Sequence, residues 1–142
     1  MGKSKSVPLE PGELFLSIAA TVGKPIITKV RCCIHDGFVY FVGIKESREF
    51  LYYLFRCGEA YKGLGKIGTQ LNLNTDTIGD IRIPLPPRPE QDVIVQSLDH
   101  EVGKVDALVA KIQEVIDRLK EFRTALISAA VTGKIDVREE AA

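Results

Sequence analysis

The chain has 142 residues, 45% of them hydrophobic, which is enough apolar material for a core of ordinary domain size. Its 19 Lys and Arg balance 19 Asp and Glu, which excludes the strong basic excess of a non-specific nucleic-acid binder. No uninterrupted apolar run approaches the roughly 18 residues of a membrane span. Met1 to Ser6 is too polar for the core of a signal peptide, so the expectation is a cytoplasmic protein with no membrane partner.

Leu14 to Ala20 alternates weakly as a strand, Gly23-Lys24-Pro25 punctuates it, and Ile26 to Ile34 resumes a β-branched run. Asp36-Gly37 tolerates the positive φ of a two-residue turn and Phe38 to Val42 supplies a returning strand, so a β-hairpin is predicted around it. From Ser47 the period changes. Phe50, Leu51, Leu54 and Phe55 share a helical face, with Ser47 as its cap and Gly58 at its close. Tyr61 to Asn74 carries Gly63, Gly65 and Gly68 among amides and hydroxyls, which predicts an exposed loop. Ile81, Ile83 and Leu85 alternate with Arg82 and Pro84 as a last edge strand, because proline cannot donate to an interior ladder.

After Pro84-Leu85-Pro86-Pro87-Arg88-Pro89 the pattern becomes uniform. Pro89 suits a first helical turn, and no later proline interrupts the chain. A seven-residue repeat runs through Leu98, Val105, Ile112, Leu119 and Leu126, with Leu108, Val115, Phe122 and Ala129 three positions on. Val102, Val109 and Ile116 add a third apolar row, so the stripe is wider than a two-stranded seam needs and calls for more than one neighbour. Gly133 is placed to close the helix in a left-handed conformation. The class is therefore α+β, a small mixed α/β domain over residues 1–88, one long helix over 89–133 and a tail over 134–142. The helix-interface candidates are Leu98, Val105, Leu108, Ile112, Val115, Leu119, Phe122 and Leu126.

Catalytic constellations find little material. His35 and His100 read as solvated surface histidines. Cys32, Cys33 and Cys57 form neither a disulfide framework nor a CxxC metal pattern and read as reduced thiols. The glycine loop lacks the Lys-Ser/Thr ending of a phosphate loop, and no motif for a methyl donor occurs, so no catalytic residue, metal or cofactor is expected. The loop suggests a different chemistry. Lys24, Lys62 and Lys66 are candidates for phosphates and Gln70, Asn72 and Asn74 for base edges, because amides pair bidentately with adenine in the major groove, with Thr69 a further candidate DNA contact. The competing reading is that glycine and asparagine are simply what loops are made of. Tyr52, Tyr53 and Tyr61 read as parts of the short helix and its surface, not as stacking platforms.

Four ordered segments carry a family resemblance. Ile81 to Gln91, with Ile94-Val95 and Leu98-Asp99, resembles the passage that closes target-recognition domains in type I restriction-modification specificity subunits. Leu119 to Ile135 resembles the end of that family's conserved helix, Gly12 to Lys24 its early strand, and Gly68 to Asn74 its polar loop. Ala20 departs from the pattern, standing where the family usually has glycine. The resemblance covers the later portion of one recognition domain and one of two conserved helices, which leaves open a truncated product or a half-subunit.

It implies a non-catalytic chain that reads half of a bipartite site on double-stranded DNA. Its helix, in an antiparallel coiled coil, would dock methyltransferase (modification) subunits and, through the assembled complex, restriction subunits. Self-association or pairing with another specificity chain is expected. The alternative is a coiled-coil adaptor that has lost DNA reading.

Overall fold

The computed structural model describes residues 6–19, 22–62, 64 and 73–135. The chain divides into two compact units, Met1–Ser97 and Leu98–Ala142.

In the first unit the described strands are β1 (Val7–Leu9), β2 (Leu14–Ser17), β3 (Pro25–Ile27), β4 (Cys32–Ile34) and β5 (Phe38–Tyr40). They form two antiparallel sheets, β1-β4 and β3-β2-β5. The predicted alternation of the first strand does not occur, because every residue of β2 is buried. Its two faces serve two apolar clusters. Leu14 and Leu16 join Val39, Phe50, Leu51, Phe55, Leu73, Ile78 and Val95, whereas Phe15 joins Leu9 and Ile34. A central strand covered on both faces loses the polar face that gives period two.

The predicted hairpin is also corrected. Asp36-Gly37 does make a turn, with the Phe38 N–H donating to the His35 carbonyl at 3.2 Å, but the flanking strands do not pair with each other. Ile34 pairs with Val7 and Cys32 with Leu9, while β5 lies along β2 with Leu16 opposite Val39. The turn therefore passes the chain from one sheet to the other. Gly37 has no positive φ, and its N–H donates to His35 Nδ1 at 2.9 Å. The backbone twist that a tight two-residue hairpin requires is thus absent.

Helix α1 (Arg48–Arg56) begins where expected, Ser47 Oγ accepting from the Phe50 N–H at 3.2 Å, and Gly58 follows its end at φ 79°. Phe50, Leu51 and Phe55 are its buried residues, and it packs on β3. A short 3-10 turn spans Glu59–Tyr61, and helix α2 (Thr75–Gly79) buries Ile78. The last expected strand is not one. Residues 81–87 have no ladder, although Ile81 and Ile83 pack on the core while Arg82 and Pro84 are exposed. Pro84, Pro86 and Pro87 remove the donors a strand would need.

Gln91 joins this segment to α1. Its Oε1 accepts from the Ser47 N–H and its Nε2 donates to the Pro86 carbonyl, both at 2.9 Å, and only 3% of the residue is exposed. Helix α3 runs from Arg88 to Val131, starting one residue before the onset at 89 read from the sequence. It begins inside the first unit, where Val95 is a core residue and Arg88 Nε reaches Asp92 at 3.1 Å.

In the second unit α3 continues with its charges paired along its own surface, Glu101 with Lys104, Glu114 with Arg118 and Asp117 with Lys120. Hydrogen bonds from Lys120 and Gln113 hold the Asp117 carboxyl below its ordinary range. Gly133 closes the helix as expected, at φ 70°. Its N–H donates to the Ala130 carbonyl at 3.2 Å and that of Lys134 to Ala129 at 2.8 Å, the paired bonds of a Schellman ending.

Candidate nucleic-acid interface

Lys24 and Lys62 are the phosphate candidates among the described residues, and both are exposed. Lys24 follows Gly23 in the connection between β2 and β3, where its own N–H donates to Ser17 Oγ at 3.2 Å. The Gly23 N–H donates to the Ser17 carbonyl at 2.7 Å, and the Ser17 N–H to the Lys24 carbonyl at 3.0 Å. Lys62 follows the 3-10 turn, with Nζ 2.7 Å from Glu59 Oε2. Lys66, Thr69, Gln70 and Asn72 lie outside the described residues. Asn74 is the N-cap of α2, its Oδ1 accepting from the Thr77 N–H at 2.7 Å and from Thr77 Oγ1 at 2.9 Å. One acceptor of the proposed base-reading amide is therefore engaged within its own helix.

Tyr61 connects the two lysine-bearing segments. Its Oη donates to the Gly23 carbonyl at 3.0 Å across 38 positions of sequence. Its ring stacks on Phe55 with centroids 5.9 Å apart, and Phe55 in turn stacks on Phe41 at 5.5 Å. Burial first, and then the nearby Cys57, pushes the Tyr61 phenol up to about 12, so its hydroxyl stays protonated and remains a donor at neutral pH. Gly23 has φ 82°, and a Cβ placed there would lie 2.9 Å from the Tyr61 ring. Glycine is thus required twice over, by the left-handed backbone and by the aromatic contact.

The sequence reading passed over Tyr61 as part of the short helix. The signal available was weak, an aromatic just ahead of a glycine-rich stretch and a Gly-Lys-Pro punctuation far upstream. In the sequence Gln91 stands out only as the end of the proline-rich segment. Its role depends on Ser47, 44 positions away, and no local pattern announces that bond.

The helix-interface candidates occupy one side of α3 as the heptad requires. Leu98 is half-buried, and Val105, Leu108, Ile112, Val115, Leu119, Phe122 and Leu126 are each at least 49% exposed. Large apolar side chains left open to water in a row are uncommon on a monomeric soluble protein. His35 and His100 are both exposed, and among the described residues no group of three His, Cys, Asp or Glu side chains is placed to hold a metal ion. No helix among them is long and apolar enough to cross a membrane.

Comparison with known proteins finds the family model of the type I restriction modification DNA specificity domain matching residues 1–118. The specificity subunit of the Escherichia coli type I restriction enzyme EcoBI is 39% identical over 67 residues, 47% of this chain and 14% of that protein. The putative type I restriction enzyme MjaX specificity subunit of Methanocaldococcus jannaschii is 26% identical over 132 residues, 89% of this chain and 29% of that protein. Among solved structures, the HsdS subunit from Thermoanaerobacter tengcongensis matches with a TM-score of 0.62 and 27% identity, covering 90% of this chain and 32% of its own. A chain from a type I R-M system, solved in work on complex assembly and conformational transition, matches with a TM-score of 0.64 and 29% identity over 87% of this chain and 31% of its own. The chain thus spans less than a third of the length of each of these relatives.

Proposed function

Because this chain belongs to the family of type I restriction-modification DNA specificity domains, we propose that it supplies sequence recognition to such a system and performs no bond chemistry itself. The observation that carries this reading is the family match over residues 1–118, which includes the first unit and much of α3.

In this reading the first unit reads half of a bipartite site on double-stranded DNA. Lys24, Lys62 and Lys66 meet phosphates, which supplies affinity and register without sequence information. Gln70, Asn72 and Asn74 address base edges, where an amide can satisfy the donor and acceptor of adenine together, and Thr69 is a further contact to the DNA. For Asn74 the amide nitrogen is the group to act, since its oxygen caps α2. A neutral protein that reads DNA in this way takes a larger share of its binding from hydrogen bonds than a basic one does.

Helix α3 sets the distance to the other half-site. Its 44 residues give about 65 Å of helix at roughly 1.5 Å per residue. Its apolar row pairs antiparallel with the helix of a second copy or of another specificity chain, and its third row meets a methyltransferase subunit. Methylation and cleavage then belong to the modification and restriction subunits, and the assembly works in the cytoplasm. A coiled-coil adaptor without DNA reading is the second interpretation, favoured by the engagement of the Asn74 oxygen in a helix cap.

Electrophoretic mobility shift on a library of duplexes, with and without a methyltransferase subunit, separates the two. Selection of a sequence class supports the reader. Enrichment of no sequence, in an assembly that forms, leaves the adaptor.

A further inference from the structure

We infer that Tyr61 is a positioning residue that holds Lys24 and Lys62 as one phosphate-binding patch. The inference rests on the DNA-reading function proposed above and adds to it a residue that itself touches no nucleic acid.

Lys24 and Lys62 are 38 positions apart in sequence, and each is the immediate neighbour of one partner in a single hydrogen bond. Lys24 follows Gly23, whose carbonyl accepts from Tyr61 Oη at 3.0 Å, and Lys62 follows Tyr61 itself. The two lysine-bearing backbones therefore lie one tyrosine side chain apart. Consecutive Cα atoms are only about 3.8 Å apart, so the bond sets the spacing of the two lysine backbones as well as of the two residues that make it.

The strut is anchored at both ends. On the lysine 62 side, the Tyr61 ring stacks on Phe55, a core residue 4% exposed, and the Tyr61 N–H donates to the Gly58 carbonyl at 3.0 Å. On the lysine 24 side, Ser17 of the buried strand β2 holds the turn through its carbonyl, its N–H and its hydroxyl. The phenol meets a turn whose φ of 82° and missing Cβ let the ring approach. Without the hydroxyl bond the turn keeps its attachment to β2 and the contact of the Tyr61 ring with Gly23, and loses its one hydrogen bond to the 3-10 turn. Lys24 is then no longer held beside Lys62, and its phosphate contact is lost.

In a neutral chain this matters more than in a basic one, because no general field gathers the phosphates. Lys62 enters the patch already paired with Glu59, an exposed ion pair that a phosphate oxygen can replace.

The test measures binding of the full chain to random-sequence duplex DNA over a range of salt, for the parent, Tyr61→Phe, Lys24→Ala and the double variant. Tyr61→Phe keeps the ring stacked on Phe55 and removes only the hydroxyl bond. The slope of log affinity against log salt grows by about 0.9 for each phosphate neutralised, whereas a merely weakened fold lowers affinity at every salt and leaves the slope alone. Tyr61→Phe is expected to lower the slope by about 0.9, which at about 0.1 M salt is roughly an eightfold loss of affinity. The double variant is expected to match Lys24→Ala, because the hydroxyl acts through that lysine.

An unchanged slope in Tyr61→Phe overturns the positioning role while leaving the DNA reading standing. So does a double variant whose slope lies a further 0.9 or so below that of Lys24→Ala, since the hydroxyl would then act apart from the lysine. A parent chain whose binding shows no salt dependence, or does not respond to Lys24→Ala, overturns the phosphate patch and the inference together.

Discussion

Replacing Gln91 by leucine tests whether one buried amide joins the start of α3 to α1. The side chain satisfies the Ser47 N–H, in a residue 2% exposed, and the Pro86 carbonyl, in a half-buried residue. Leucine has similar size and offers neither group a partner. A buried backbone donor left unpaired costs about 1 to 3 kcal/mol, while the half-buried carbonyl can turn to water. Allowing for the apolar surface that leucine buries, Gln91→Leu is expected to destabilise the first unit by about 2 kcal/mol. For a unit of this size that moves the urea midpoint down by about 1 to 2 M.

All the tyrosines (Tyr40, Tyr52, Tyr53 and Tyr61) lie in Met1–Ser97, so tyrosine fluorescence follows that unit rather than the distal helix. Gln91→Glu sharpens the test. It keeps the acceptor for Ser47 and, when ionised, sets a carboxylate against the Pro86 carbonyl, so its folded pKa should lie above the unfolded value. The stability it retains is then present in acid and lost as pH rises through the folded pKa. Gln91→Glu should therefore recover most of the parent's midpoint in mild acid and lose it near neutral pH. A Gln91→Leu midpoint within error of the parent would refute the reasoning.

Ile112→Asp with Leu119→Asp, which buries unpaired carboxylates in an apolar seam at several kcal/mol, should give monomers by light scattering if the apolar row of α3 is an interface. Glu59→Gln frees Lys62 and should raise affinity for random duplex DNA a few-fold, on the order of the 0.2 to 1 kcal/mol typical of an exposed ion pair, read in the same salt titration. Alkaline titration by ultraviolet absorbance should show a phenol ionising near 12 that is missing from Tyr61→Phe. Because that pKa is raised, the stability it carries is present below the ordinary tyrosine value and lost as pH rises towards 12. Asn74→Ala removes the cap of α2 and should cost about 1 kcal/mol by the same urea assay.

The sequence by itself determined those features whose hydrogen bonds and packing rows are local. Helix α1 with its Ser47 cap, the body of α3, the apolar heptad and the left-handed Gly133 ending all depend on partners within about a turn or two, and the spacing of residues states them directly. The family too was legible, because its signature lies in short ordered segments of sequence. Tertiary structure alone decided the pairing of strands. The turn at Asp36-Gly37 is visible as a turn, yet what its two flanking strands pair with depends on β1 and β2, more than 15 positions upstream, which take β4 and β5 into separate sheets. Burial of β2 on both faces, the loss of a ladder at 81–87, the Gln91 bridge to Ser47 and the Tyr61 bond to Gly23 share that cause. Each joins residues that no local period relates, and each is held because a buried polar group or an apolar face has to find a partner wherever the fold provides one.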